Sequence, residues 1–314
     1  MIDWRKSALL HGALLAVLCA LNYLLPAYHQ GNLARVMVLA TYAAGYNIMF
    51  GYTGLLSLGH ALFFAAGMYG TGLAIGQFGL SPLPALAIGL LCGVVVSAAL
   101  GLLALRTAGV AFMIVTLMFA QAGYLSILFF GEYTRGDEGF VLQQAQRMVF
   151  GIDLSAPTTR YWAAFVLFAL SVVLILWLVQ SRFGRVLIAI RENEPRARML
   201  GYDTFAHKLG AVVASGTMSA MAGAAYGVLF GYVGASFGSV QYSIFPLLWV
   251  LLGGAGTVIG PFLGTLFMFY LIDLSSGVTT AYMLIAGVVL VLVTLFAPQG
   301  IAGELRRRVW RWLP

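Results

Sequence analysis

The sequence predicts an all-α polytopic membrane protein, and three observations carry that class. Of its 314 residues 61% are hydrophobic and only 9% are charged, and the apolar residues fall into runs long enough to cross a bilayer. A soluble domain carries nearer a quarter charged residues, because a water-facing surface needs them. Mean hydropathy is +0.95, so most of the outer surface must face lipid. The 38 glycines suit a bilayer, where small residues let helix backbones approach closely.

Taken in order, the first apolar run, 8–25, follows the basic residues Arg5 and Lys6 and so has the outline of a signal peptide. No small-x-small cleavage site closes it, and about 18 residues are enough for it to stay as the first span. Further runs at 35–50, 61–76, 83–105, 109–130, 161–180, 209–231 and 281–297 bring the full spans to about eight. A ninth region, 244–272, is interrupted by "GGAGTVIGPFLG". It is short for two complete helices of ~20 residues each, which predicts a broken or re-entrant pair and a range of 8–10 spans. Two shortened spans are also expected to flank "GYTGLLSLGH" in the first half. Short, glycine-interrupted segments in both halves are the best sequence pointer to a transporter's substrate site.

Residues 1–314 thus read as a single transmembrane domain, with loops at 131–160 and 182–208 and a basic tail at 298–314. Lysine and arginine set the orientation. With Arg5 and Lys6 in the cytoplasm, the inner pieces hold 13 basic residues: those two, Arg106, six between 182 and 208, and four in the tail. Only Arg35, Arg135, Arg147 and Arg160 remain outside. Both termini are therefore expected in the cytoplasm, provided that 244–272 crosses twice or returns to its starting side.

Charge inside a span usually marks ion or proton coupling. On this reading none of the 27 charged residues sits mid-span, and only His60 could titrate at membrane depth. That weakens a self-contained secondary carrier without excluding it. Neither lysine, Lys6 or Lys208, follows a glycine, so no Walker A motif exists. There is also no HExxH and no spaced Ser/His/Asp set. Cys19 and Cys92 lie in apolar runs without ligand-type neighbours and read as small core residues, so no metal site and no cofactor is expected in this chain.

One internal loop breaks the pattern. From Arg182 to Lys208 the chain holds nine of its 27 charged residues, with alternating sign after the apolar stretch "VLIAI". Pro195 interrupts the helical pattern, although proline is tolerated in a first turn. A short helix lying across the membrane face would present Arg191, Glu192 and Glu194 to water or to a partner.

The stretch "SRFGRVLIAIRENEPRARMLGYDTFAHKLGAVVASGTMSAMAGAAYG" resembles the cytoplasmic coupling loop of the branched-chain amino acid permease family of ABC importers. The matching positions are Ser181, Phe183, Gly184, Arg185, Ala189, Ile190, Arg191, Glu192, Asn193, Gly201, Lys208 and Leu209, with Glu194 inside the same motif. The resemblance continues in "LLGGAGTVIGPFLG" and "GYTGLLSLGHALFFAAGMYG" and covers about residues 35–300. Within the family the chain looks like the LivM-type subunit. Arg198 and Met199 depart from the small residues that many relatives carry there.

The resemblance implies a non-catalytic permease subunit in a bacterial inner membrane. It further implies a LivH-type permease partner, two cytoplasmic ATPase subunits that bind the ATP and Mg²⁺, and a periplasmic binding protein; no nucleic acid is involved. The loop would dock on an ATPase, and the 131–160 loop could meet the binding protein. Relatives that carry urea and short amides share much of the loop, so that substrate class stays open beside branched-chain amino acids. Candidates for the translocation pathway are Asn47, Tyr52, Gly54, Ser57 and His60 in the first break, and Gly253, Gly254, Gly256, Gly260 and Gly264 in the second. Half-helix ends there could face a zwitterion without any charged side chain.

Overall fold

The computed structural model describes residues 4–308, with the side chains of Trp4 and Arg5 left out. Residues 309–314 of the expected tail, Arg311 among them, lie outside the described residues. Thirteen helices follow in chain order among the described residues: α1 (Trp4–Leu24), α2 (Ala27–Asn47), α3 (His60–Gly76), α4 (Pro82–Ala104), α5 (Val110–Phe129) and the short α6 (Gly131–Thr134), then α7 (Pro157–Gln180), α8 (Arg182–Met199), α9 (Thr204–Phe230), α10 (Val240–Gly253), α11 (Gly260–Ser276), α12 (Tyr282–Phe296) and α13 (Gly300–Arg308). One π-helical turn, Ile48–Tyr52, extends α2. Proline opens α4, α7 and α11, where its missing N–H costs nothing because first-turn N–H groups have no helical partner.

Seven stretches are long and apolar enough to cross a bilayer: α1, α2 with its π turn, α4, α5, α7, α9, and α12 with α13. α10 and α11 are apolar but shorter, and stand where the sequence predicted an interrupted pair. Residues 254–259 are the interruption. The first half differs from expectation. Only α3 is short; the helix before it starts at Ala27, not at residue 35, and runs without a gap to Tyr52. The polar stretch "HQGN" hid those extra turns. Arg35 therefore lies inside α2 instead of between spans, with its guanidinium 5.2 Å from the centroid of the Phe230 ring. Arg160 approaches the same ring at 5.5 Å, so Phe230 gives both cations an aromatic contact.

α2 is almost wholly enclosed, α9 is two-thirds enclosed, and α5 and α12 are nearly bare. Glycine explains how the central helices come so close. A methyl at Gly67 of α3 would overlap the Ala220 carbonyl of α9, and one at Gly223 of α9 would overlap the Phe64 carbonyl of α3. The two helices thus meet backbone to backbone. Gly264 of α11 lies in the same way against the Trp249 carbonyl of α10.

The two faces of the molecule are chemically distinct. The end of α7 and the start of α8 lie beside the first turns of α1, since Ala8, His11, Gln180 and Ser181 line one cavity. Arg191 and Glu192 of α8 line another with Arg306 and Arg307 of α13. Both described ends of the chain therefore share a face with α8, which we call the charged face. On the far face, a two-residue strand β1 (Phe140–Val141) pairs with β4 (Tyr232–Val233) just beyond α9. A small hairpin, β2 (Met148–Val149) with β3 (Ile152–Asp153), completes the connection between α6 and α7.

Candidate functional site

α8 forms because its sequence supplies both ends and one buried side. The Ser181 hydroxyl accepts the Gly184 N–H at 3.1 Å and caps the first turn, satisfying a donor the helix cannot. Gly184 is required by proximity, since a methyl there would overlap the Leu178 carbonyl of α7. Val186, Leu187 and Ile190 are buried. Asn193 then leaves helical geometry (φ −160°, ψ 95°), and its Oδ1 accepts the Arg196 N–H at 2.9 Å. α8 is accordingly two helices, with Asn193 as the N-cap of the second and Pro195 in that second helix's first turn. Gly201, with φ +87°, ends the segment in the left-handed geometry that glycine adopts without strain.

Polar contacts and one ring contact fasten this helix to the rest of the chain, among them Arg198 donating to the Thr204 hydroxyl at 3.3 Å. Glu194 forms an ion pair with Lys208 in the first turn of α9, and a longer one with Arg198 at 3.4 Å. Partial burial alone pushes the Glu194 carboxyl up; the hydrogen bond and charge of Lys208, with Thr204 and Arg198, outweigh it and hold the group below its ordinary value. The Phe183 ring stacks on His207, 5.5 Å between centroids and 16° apart. Arg191 donates to the Gly51 carbonyl in the π turn, and its guanidinium also lies against Gly256, where an added Cβ would be 2.8 Å from Nη1. Arg185, Ala189, Glu192 and Asn193 face outward, exposed.

The two interruptions meet each other. Asn47, fully buried, donates from Nδ2 to the Thr257 carbonyl at 2.9 Å and accepts the Gly256 N–H on Oδ1 at 2.9 Å. One side-chain amide thus pairs with two backbone groups of the second break. Gly256 and Gly54 have φ values of +73° and +77°. Gly54 is exposed and packs under Arg191, with an added Cβ 3.2 Å from its Cγ.

The remaining pathway candidates are interior. Tyr52, Ser57 and His60 are buried. Ser57 holds the turn into α3, accepting the Gly59 N–H at 3.1 Å while its own carbonyl accepts from Tyr46. The Ser215 hydroxyl donates to the Gly45 carbonyl at 2.6 Å, so His60 must donate from Nε2 to that hydroxyl, 2.8 Å away. Gly253, Gly260 and Gly264 form the contact between α10 and α11, and Gly254 packs against Gly300 and Gly303 of α13.

The structure therefore brings Asn47, Gly54 and Gly256 together with Arg191 of α8, whereas Ser57 and His60 pack deeper between α2, α3 and α9 and make no hydrogen bond to α8 among the described residues. Sequence reasoning missed how they are joined. Lys208 and Arg191 were visible as charges, but their partners lie 14 and 140 residues away in the chain. Arg306, on the rim of the shared cavity, carried no signal beyond its charge.

An all-α chain with lipid-length helices, two interior breaks and a charged surface helix bolted to both is a membrane permease component. Residues 30–295 match the family described as "Branched-chain amino acid transport system / permease component", and the chain belongs to it. It is similar to the "High-affinity branched-chain amino acid transport system permease protein LivM" of Salmonella typhimurium, 27% identical over 94% of this chain and 75% of the relative. The protein of the same description from Escherichia coli is 28% identical over 84% of this chain and 68% of its own. A "Probable branched-chain amino acid transport permease protein LivM" from Methanocaldococcus jannaschii is 31% identical over 40% of this chain and 41% of its own. No solved structure matches the chain.

Proposed function

We propose that this chain is the non-catalytic, membrane-spanning subunit of an ABC importer that carries branched-chain amino acids into the cytoplasm. The observation that supports it best is the two-sided character of α8. Its inner side is tied to α9 by Glu194 and to both breaks by Arg191. Its outer side offers Arg185 and Glu192 to water. A helix of that kind can receive force from outside the bilayer and deliver it to the interior. The excess of basic residues expected from the sequence on the side of α8 supports a cytoplasmic charged face, and the family supports a bacterial inner membrane.

The energy would come from two ATPase subunits, which hold the ATP and Mg²⁺, so this chain needs no cofactor of its own. A related LivH-type permease would complete the membrane part, and a periplasmic binding protein would deliver the amino acid.

Glu192→Arg tests the reading. Glu192 makes no hydrogen bond or ion pair among the described residues, so the chain should fold and insert normally. A like charge set against a basic group of the ATPase costs several kcal/mol at a docked interface, and about 3 kcal/mol weakens association roughly a hundredfold. The expected result is normal expression, less co-purified ATPase and loss of ATP-driven leucine uptake. Parental uptake and parental ATPase association together would show that α8 is an orientation signal only and that its charge does not select the ATPase.

A further inference from the structure

The far-face end of α11 carries a group that the permease reading does not use. Asp273 was expected to lie just beyond an interrupted span, but α11 continues to Ser276 and holds it in an apolar helix. Its carboxylate accepts hydrogen bonds from the Tyr28 hydroxyl, 3.0 Å to Oδ1 and 2.8 Å to Oδ2, and from Asn32 Nδ2 at 3.2 Å to Oδ2. Among the described residues no lysine, arginine or histidine pairs with it. Asp273 sits, part-buried, in the last turn of an apolar helix, and a carboxylate there without a cation is the kind of group that lines a ligand or ion path.

Beside Asp273 a cavity of about 270 Å³ opens between α2, α10, α11 and α12. The Phe245 and Trp249 rings, stacked 5.8 Å apart at 10°, form one wall. Leu39, Tyr242, Phe269, Ile272, Ser276 and Met283 complete the lining. The space is smaller than the roughly 300–1,000 Å³ of pockets that take drug-sized ligands, and suits a single amino acid. Its chemistry is a lone anion beside aliphatic and aromatic walls. Aromatic faces also attract cations. No lining residue is basic, so no cation there can pair with a ligand's own carboxylate.

We infer that this cavity is a binding site for branched aliphatic amino acids, with the α-ammonium on Asp273, the side chain among Phe245, Trp249, Phe269, Ile272 and Met283, and the carboxylate directed out to water. The choice of amino acid rests on the importer reading; the requirement for a cation on a branched aliphatic body rests on the cavity. Such a site would receive solute at the far face, before the interior breaks.

The test uses the purified full chain in lipid nanodiscs and three radiolabelled probes in equilibrium dialysis. These are L-leucine, isoamylamine (the same body without the carboxylate) and 4-methylpentanoate (the same body without the amine). Leucine and isoamylamine should bind saturably and compete, and 4-methylpentanoate should do neither. Asp273→Asn should weaken isoamylamine binding at least about tenfold, which corresponds to 1.4 kcal/mol. Met283→Trp, which fills the cavity from α12 and leaves Asp273 in place, should block both ligands, and it decides the matter if the Asp273 variant fails to fold.

No saturable binding by the parental chain, equal binding of 4-methylpentanoate, or parental affinity in both variants would overturn the site. Leucine uptake by the assembled transporter, measured alongside, tests the importer reading separately. Uptake without cavity-dependent binding removes the site alone, and binding without uptake removes the importer reading alone.

Discussion

Replacing Asn47 by alanine should cost this chain more than any other single polar deletion near the breaks. The amide makes two hydrogen bonds of 2.9 Å to the second break, to the Thr257 carbonyl and from the Gly256 N–H. Asn47 and Thr257 are 0% and 1% exposed, so no water can replace the lost partner. Each buried group left unsatisfied costs about 1–3 kcal/mol, which sums to about 2–6 kcal/mol for the pair. Asn47→Asp should be no better. It keeps the acceptor for Gly256 but turns a carboxylate toward the Thr257 carbonyl, and a buried unpaired charge is costly. The control is Ser126→Ala, which removes an exposed hydroxyl bonded within its own helix and should stay within about 0.5 kcal/mol of the parent. Thermal unfolding of the purified chains in one detergent, followed by tryptophan fluorescence, reads the difference. An Asn47→Ala chain as stable as the Ser126→Ala control would refute the idea that this amide holds the two breaks together.

Two further outcomes follow from the same geometry. The folded-state pKa of Glu194 is lowered from 4.5, so the stability it contributes through Lys208 is present above about pH 4.5 and lost as pH falls through the lower folded value. Hydrogen exchange in α8 should therefore be unchanged between pH 5 and 8 once corrected for intrinsic rates, and accelerate at pH 3.5; in Glu194→Gln it should already be fast at neutral pH. Gly264→Val would overlap the Trp249 carbonyl and pry α11 from α10, whereas Gly12→Ala enters open space. Size-exclusion chromatography should show the first aggregated and the second monodisperse.

The apolar runs, the interrupted pair α10–α11 and the charged helix α8 were legible because each is a local property of the chain. Pro195 was legible as an interruption of the helical pattern, and the interruption falls at Asn193, with Pro195 in the first turn that follows. What sequence could not supply was pairing across distance. Asn47 meets residues more than 200 positions away, and nothing local distinguishes it from an asparagine that merely glues two helices. The misplacement of Arg35 and Asp273 has a different cause. A hydropathy run ends at its last apolar residue, while a helix continues as long as tertiary contacts satisfy its polar side chains. Phe230 does that for Arg35, and Tyr28 and Asn32 do it for Asp273.

α9 connects the two faces without a break. Its 27 residues, at 1.5 Å per residue, make a rod about 40 Å long. One end is pinned through Lys208 to Glu194, and the other runs directly into β4 and its pairing with β1. A rod held at both ends is a lever. A tilt of about 5° imposed at α8 would carry the β1–β4 strap sideways by about 3.5 Å on a rod of that length, wider than a hydrogen bond is long. The loop between α5 and α7 would then sense, mechanically, what happens to α8 on the opposite side of the membrane.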